Sequence, residues 1–242
     1  MKVIILAGGL GTRLSEYTNK IPKPMVKIAG HPIIIHIMKH YISAGFNEFL
    51  LATGYKREEF KKYFKNYKKE GEKFDASIFK KNCKIVIINT GQNTLTGGRL
   101  KRATRYLDKK DLNFMFTYGD GISNVNLKKL LKFHTSHKKK ITVTAVRPPA
   151  RFGELKLSRN KVTSFKEKPQ VGSGWINGGY FVAKRSFISF IKGDKTVLEK
   201  APLEQASKKK ELYAFKHKGF WKCMDTKRDK DVLEKLLRRK KS

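Results

Sequence analysis

The sequence predicts an α/β fold: a mixed, mostly parallel sheet with helices on both faces, followed by a small antiparallel lobe. Three observations carry that expectation. From residue 1 to about residue 146, short β-branched runs alternate with longer segments of helical apolar spacing, the pattern of repeated βα units. Beyond residue 152 the pattern shortens to closely spaced alternating strands, as in a hairpin. The first strand leads directly into a glycine-rich turn, where α/β sheets commonly bind phosphate.

The first strand is residues 3–7 (VIILA), too short and too β-branched for a helix. Gly8, Gly9 and Gly11 follow; with no side chains, they let the backbone approach a bulky anion and aim N–H groups at it. Arg13 adds a planar fork of donors suited to phosphate oxygens. Lys23 stands between Pro22 and Pro24, which stiffen its backbone. Together these make a site for a triphosphate. It is neither of the two common phosphate loops: Gly11 is followed by Thr12 and Arg13 rather than Lys and Ser/Thr, and Leu14 stands where a dinucleotide fingerprint needs glycine.

Residues 32–44 read as a helix stopped by Gly45; 48–53 as the second strand; 56–67 as a helix with Phe60, Tyr63, Phe64 and Tyr67 on one face; and 84–89 as the third strand. His36 and His40 lie four apart but lack the Glu of a zincin motif, so they read as polar-face residues. The weakly patterned residues 68–82 read as a surface loop. Residues 90–98 form a second glycine-bearing turn before a helix expected near Arg99, a favourable place for anions. Residues 113–118 are the fourth strand and end at Gly119-Asp120-Gly121, where a carboxylate is well placed to hold a metal ion. A helix (127–136) and a fifth strand (141–146) complete a Rossmann-like arrangement.

In the later part, 152–157 and 161–165 read as a hairpin, followed by Glu167-Lys168-Pro169. Residues 176–182 read as a strand whose glycines suggest a ligand against its backbone. Residues 186–191 and 202–209 read as helical and 212–216 as a strand. The run Gly219-Phe220-Trp221 leads to Asp225, and 227–239 closes the chain as an amphipathic helix with Val232, Leu233, Leu236 and Leu237 inward. There is no internal repeat or Pro/Ser-rich linker, so residues 1–242 are expected to form one domain, with a first part (1–146) and a later part (147–242).

Composition narrows the function. The chain has 55 Lys+Arg against 20 Asp+Glu, a net charge of +35 at pH 7. Such a surface attracts nucleic acid, anionic membranes or anionic small molecules. The lysines are scattered along the whole chain, and nothing resembles a recognition helix or a stacking-aromatic motif, so a composition bias is preferred over a basic nucleic-acid-binding protein. No apolar run is long enough to span a bilayer, and no signal-peptide pattern is present, so no membrane partner and a cytoplasmic location are expected. Cys83 and Cys223 make no metal spacing and read as buried free thiols.

Arg13, Lys23, Asp120, Glu167, Lys168, Asn177 and Asp225 have no evident packing role. Two acids could share Mg²⁺, the cations and glycine turns could hold phosphates, and Asn and Glu could bond sugar hydroxyls. This set suits nucleotidyl transfer to a sugar phosphate, whose nucleophile is an already anionic phosphate oxygen that needs no general base.

The run Ala7-Gly8-Gly9-Leu10-Gly11-Thr12-Arg13-Leu14 followed by Pro22-Lys23-Pro24 resembles the signature of the sugar-phosphate nucleotidylyltransferases. The runs 94–102 (TLTGGRLKR), 117–121 (TYGDG), 176–179 (INGG) and 219–226 (GFWKCMDT) extend that resemblance over nearly the whole chain, toward members that use CTP and glucose 1-phosphate. It implies that Leu6, Ala7, Gly8, Gly9, Leu10, Gly11, Thr12, Arg13, Lys23, Thr94, Arg99 and Gly119 meet the nucleotide. It implies that Asp120 and Asp225 ligate Mg²⁺, and that Glu167, Lys168, Asn177 and Gly178 face the sugar phosphate. Arg13, Lys23 and Lys168 are the expected catalytic cations, and a homo-oligomer is expected. Sister enzymes that use UTP or dTTP remain the alternative within the same chemistry.

Overall fold

Strand Lys2–Ala7 (β1) lies inside an eight-stranded sheet in the computed structural model, which describes residues 1–65, 73–74, 83–147, 154–166 and 174–239. On one side β1 pairs in parallel with Glu48–Thr53 (β2), which pairs in parallel with Cys83–Asn89 (β3). On the other side it pairs in parallel with Asn113–Tyr118 (β4). The chain therefore reverses its direction of travel across the sheet between β1 and β4. This is the topological switch point, where open α/β sheets form a crevice at the carboxyl ends of their strands.

The sheet continues from β4 through Ile176–Lys184 (β7), antiparallel to both its neighbours, to Ile141–Val146 (β6) and Leu212–His217 (β8). The label β5 belongs to Gly121–Ser123, which pairs outside this sheet, antiparallel to Trp221–Cys223 (β9). Glu154–Ser158 and Lys161–Lys166 form a separate antiparallel hairpin, the small lobe expected from the sequence. Lys73–Phe74, placed in a loop by the sequence reading, pairs with β3 as a short antiparallel strand; the rest of 68–82 lies outside the described residues, as does Tyr67.

Alternation along β1 divides the core in two. Val3, Ile5 and Ala7 face a cluster containing helix Ile33–Ser43, Phe60 and Phe64 of helix Arg57–Lys65, Leu127 and Leu130 of helix Leu127–His137, and Leu233 near the end of the chain. Ile4 and Leu6 face a second cluster with Leu100 and Ala103 of helix Thr96–Ala103, Phe187 and Phe190 of a 3₁₀ turn, and Ala206 of helix Ala201–Lys208. Helices thus cover both faces, as expected. The Phe116 and Phe181 rings stack at 4.3 Å across β4 and β7. Helix Ile33–Ser43 is apolar nearly all round because it is buried nearly all round.

Three local expectations are corrected. The helix expected near Arg99 begins at Thr96. Of the four residues expected inward on helix Lys227–Arg239, Leu233 is buried and Leu237 packs on the core, whereas Val232 and Leu236 are exposed. The helix lies against the molecule on a stripe narrower than its apolar pattern. The expected helix at 186–191 is a 3₁₀ turn, Arg185–Phe190. His36 and His40 hold no metal cluster among the described residues: a ring nitrogen of His36 meets the Ile28 carbonyl at 2.8 Å, and His40 packs edge-on against Tyr180.

The glycine turn after β1 is shaped by a side chain behind it. The Arg99 guanidinium, 3% exposed, donates to the carbonyls of Thr53 (3.0 Å), Gly91 (3.0 Å) and Thr94 (2.7 Å) and to Thr90 Oγ1 (2.6 Å). It ties the ends of β2 and β3 together beneath Gly8. A Cβ on Gly8 would lie 2.0 Å from an Arg99 nitrogen and 2.8 Å from the Gly54 nitrogen, whereas one on Gly9 would meet nothing within 4 Å. Gly11 needs its freedom for a different reason: its φ is +68°.

Two predictions follow from this packing. Gly8→Ala is expected to lose on the order of 2 kcal/mol or more of stability and to lower Tm, while Gly9→Ala leaves Tm nearly unchanged, as read by thermal unfolding. The second concerns His134, fully buried with Nδ1 2.9 Å from Thr142 Oγ1; burial, then the charge of His137, pushes its pKa down to about 4. Between pH 6.5 and about 4 the unfolded chain binds a proton there that the folded chain refuses. Stability from this group is complete above pH 6.5 and is lost as pH falls toward 4. Urea unfolding across that range is expected to show a slope shallower by up to about 1.4 kcal/mol per pH unit in His134→Leu than in the wild type.

Candidate active site

At the switch point the carboxyl ends of β1 and β4 open into a cleft of about 850 Å³. Gly8, Gly9 and Gly11 form one wall, and Gly119 the floor beside them. Gly119 donates its N–H to the Leu6 carbonyl at 3.1 Å, and a Cβ there would strike the Pro24 ring at 2.8 Å. That contact seats the Pro22-Lys23-Pro24 turn against β4.

The centre of the cleft is an ion cluster. Lys23 Nζ donates to Asp120 Oδ2 at 2.6 Å and to Asp225 Oδ1 at 2.8 Å, although these acids lie 97 and 202 residues away along the chain. Arg13 Nη1 donates to the other Asp225 oxygen at 2.9 Å, and its side chain is otherwise open to solvent, 71% exposed. Burial alone would lower the Lys23 pKa, but the charge of Asp120 and the hydrogen bonds Lys23 donates to both acids outweigh it, so the ammonium holds its proton more tightly than usual. Burial would raise the Asp225 carboxyl, but the hydrogen bond and charge of Lys23, with Arg13, hold it below the ordinary carboxylate range.

Two devices bring Asp225 to this point. The β5–β9 ribbon starts one residue after Asp120 and ends two before Asp225, and Met224 donates its N–H to the Asp120 carbonyl at 2.8 Å. Asp229 then fixes the following turn. Its Oδ2 accepts from the N–H of Asp225 (3.2 Å), the N–H of Thr226 (3.1 Å) and Thr226 Oγ1 (2.9 Å), while its own N–H donates back to Thr226 Oγ1 at 3.2 Å. This is a capping box at the start of the last helix. Lys222 neutralises Asp229 at 2.5 Å.

The opposite wall is the Ile176–Gly179 segment. Gly178 is pressed against β6, where a Cβ would lie 2.8 Å from Val146 Cγ1, and its carbonyl accepts from Trp221 Nε1 at 2.7 Å. Gly179, at φ +79°, donates its N–H to Asn177 Oδ1 at 2.8 Å. Asn177 Nδ2 donates to the Tyr118 hydroxyl at 3.3 Å, which donates to Glu199 Oε1 at 2.5 Å.

Set against the sequence reading, Leu6, Ala7, Gly8, Gly9, Gly11, Thr12, Arg13, Lys23, Thr94, Arg99, Gly119, Asp120, Asn177, Gly178 and Asp225 all line the one cleft. Leu10 does not; it points to solvent, 50% exposed, because the turn needs its backbone rather than its side chain. Arg99, expected at the nucleotide, commits its donors to main-chain carbonyls and Thr90, as described above. Glu167 and Lys168 lie outside the described residues. Cys223, expected buried, is half-buried at the cleft, its thiol 3.7 Å from Asp225 Oδ2 and pushed up to about 12 by burial and then by that carboxylate. The sequence reading missed Glu199, Asp229, Lys222 and Tyr118. Only the Thr-x-x-Asp spacing of Thr226 and Asp229 carried a signal, that of a capping box.

Comparison with known proteins agrees with this geometry. The nucleotidyl transferase family model matches residues 2–230. The glucose-1-phosphate cytidylyltransferase of Salmonella typhi is 44% identical over 252 residues, covering 100% of this chain and 98% of that protein. The probable glucose-1-phosphate cytidylyltransferase of Bacillus subtilis (strain 168) is 40% identical, covering 93% and 92%. Among solved structures, HddC from Yersinia pseudotuberculosis superposes with a TM-score of 0.74 at 26% identity, covering 98% of this chain and 99% of that one. The chain therefore belongs to the nucleotidyl transferase family, and is an enzyme built around the cleft at the ends of β1 and β4.

Proposed function

We propose that the chain transfers a cytidylyl group from CTP to α-D-glucose 1-phosphate, forming CDP-glucose and releasing pyrophosphate. The observation that carries the chemistry is the meeting of Asp120 and Asp225 around one cation position beside the glycine turn. The choice of CTP and glucose 1-phosphate rests on the two relatives of that name.

A phosphate oxygen of the sugar phosphate attacks the α-phosphorus of CTP in line, and the P–O bond to pyrophosphate breaks on the opposite side. The nucleophile is anionic at neutral pH, so no general base is required. Arg13 meets the charge that develops on pyrophosphate, and Lys23, whose proton is firmly held, meets the α-phosphate. Lys168, with Glu167, Asn177 and Gly178, is assigned to the sugar phosphate, within the later part of the chain (147–242); residues 1–146 are assigned to the nucleotide.

The donor set fits Mg²⁺. Asp120 and Asp225 offer hard carboxylate oxygens set around a single cation, and Mg²⁺ is commonly held by one or two carboxylates with phosphate oxygens and water completing its shell. Asp120 and Asp225 would hold the ion, which when bound supplies charge neutralisation to the phosphates. We also assign the product to deoxysugar and surface-polysaccharide synthesis in the cytoplasm, and the enzyme to a homo-oligomer. No helix among the described residues is long and apolar enough to cross a membrane.

Pyrophosphate release is expected to require CTP, glucose 1-phosphate and Mg²⁺ together, with kcat/KM for CTP at least tenfold above that for UTP or dTTP. Equal turnover of the three nucleotides would replace the cytidylyl assignment with that of a sister enzyme. Asp225→Asn is expected to lower kcat roughly 10²-fold or more while circular dichroism stays that of the wild type; near-normal turnover would remove Asp225 from the reaction.

A further inference from the structure

Among the described residues four acids line the cleft: Asp120, Asp225, Asp229 and Glu199. The first three are neutralised, Asp120 and Asp225 by Lys23 and Asp229 by Lys222. Glu199 is different. Among the described residues its carboxylate is held by hydroxyls alone, Tyr118 at 2.5 Å on one oxygen and Thr96 at 2.7 Å on the other. In a chain carrying +35, an acid with no cationic partner among the described residues, in a cleft that must accept phosphates, is a repulsive element. Its placement makes sense where the group bound beside it is neutral and donates hydrogen bonds.

The surrounding bonds set its polarity. A carboxylate accepts only, and each oxygen has room for a second donor. Tyr118 cannot act as a base: burial, then the charge of Glu199, raises its pKa, so its proton stays on the bond to Glu199. Asn177 must turn its oxygen toward the Gly179 N–H, which aims its NH₂ at Tyr118. Thr96 Oγ1, while donating to Glu199, accepts the N–H of Leu198 at 2.9 Å and so fixes the backbone beside it. Hydrogen bonds thus run one way, from Asn177 through Tyr118 to Glu199. The wall then presents a fixed acceptor in Glu199 and a remaining donor in the Asn177 amide. A sugar hydroxyl, which gives one bond and takes another, matches that pair.

We infer that Glu199 is a specificity-determining residue that accepts a hydroxyl proton of the hexose in the sugar phosphate. The inference deepens the proposed function and rests on it. The exocyclic amine of the nucleotide base is the competing neutral donor. The link of Glu199 through Tyr118 to Asn177, a residue assigned to the sugar phosphate, favours the sugar.

Steady-state kinetics of the full-length enzyme test this with Glu199→Gln, which retains the shape of the side chain and one acceptor oxygen but sets an NH₂ donor against the second hydroxyl and removes the charge. KM for glucose 1-phosphate is expected to rise at least tenfold while KM for CTP stays within twofold. The wild type is expected to discriminate at least tenfold against one of the 2-, 3-, 4- and 6-deoxyglucose 1-phosphates, and the variant less than threefold against that same analogue. A raised KM for CTP with an unchanged sugar KM would reassign Glu199 to the base and overturn the inference. So would unchanged constants for both substrates, or a deoxy-analogue penalty equal in the two proteins. If Glu199→Gln fails to fold, Glu199→Asp, which withdraws the carboxylate by one methylene, serves for the same comparisons. A wild type that turns over no CTP and glucose 1-phosphate removes the substrate assignment itself, and is told apart from an active wild type whose Gln variant is unaffected.

Discussion

The site depends on one ammonium group shared by two carboxylates. Lys23 is buried, and so costly to keep charged, yet its proton is held more tightly than in water because Asp120 and Asp225 converge on it. Each of the three would be a liability without the others. With Arg13 on the outer oxygen of Asp225, two acids meet two cations, and the cluster is close to neutral before any substrate arrives. The same convergence defines a place for a divalent ion, since oxygens arranged around one positive centre suit another. Much of the surrounding architecture serves this meeting: the Pro22–Pro24 turn seated on Gly119, the two-stranded ribbon beyond Asp120, and the Thr226–Asp229 capping box beyond Asp225.

A second buried cation does a different job. Arg99 lowers its own pKa to about 10 through burial and then through the nearby charge of Arg102. It remains positive at neutral pH and uses its donors to hold carbonyls at the ends of β2 and β3. The glycine at position 8 exists as much for this guanidinium behind it as for any phosphate in front of it. Glycine in a phosphate-binding turn is usually read from the ligand's side; here the nearest atom is a side chain of the protein.

Charge is arranged with a sign at each station of the cleft. Cations and glycine backbone lie where phosphates are assigned, paired acids lie where a cation is assigned, and one acid with no cationic partner among the described residues is joined through Tyr118 to Asn177. The net charge of +35 is spread over the surface and says little about this arrangement. It raises the local concentration of anionic substrates generally, but the discrimination sits in a few fixed hydrogen bonds.

How much was legible without coordinates follows from the range of the interactions. The strands, most helices and the glycine turn could be read because hydrophobic period and glycine spacing are local properties of the chain, and Arg13, Lys23, Asp120 and Asp225 stood out as polar residues in apolar or glycine-rich settings. Helix Lys227–Arg239 was read as more deeply inserted than it is, because periodicity tells which residues share a face but not how wide a stripe the rest of the protein covers. The bonds from Arg99 to main-chain carbonyls were not legible, because motif spacing reveals residue type but not the partners of a side chain. Glu199 was missed because nothing near it in the chain distinguishes it; its meaning comes from Tyr118, 81 residues earlier, and Thr96, 103 residues earlier. The sequence by itself thus determined the layers of the fold and the chemical kinds of group at its site. Only the tertiary structure decided which groups meet and which lack a partner, because ion pairing acts through distances of a few ångströms that no spacing along the chain encodes.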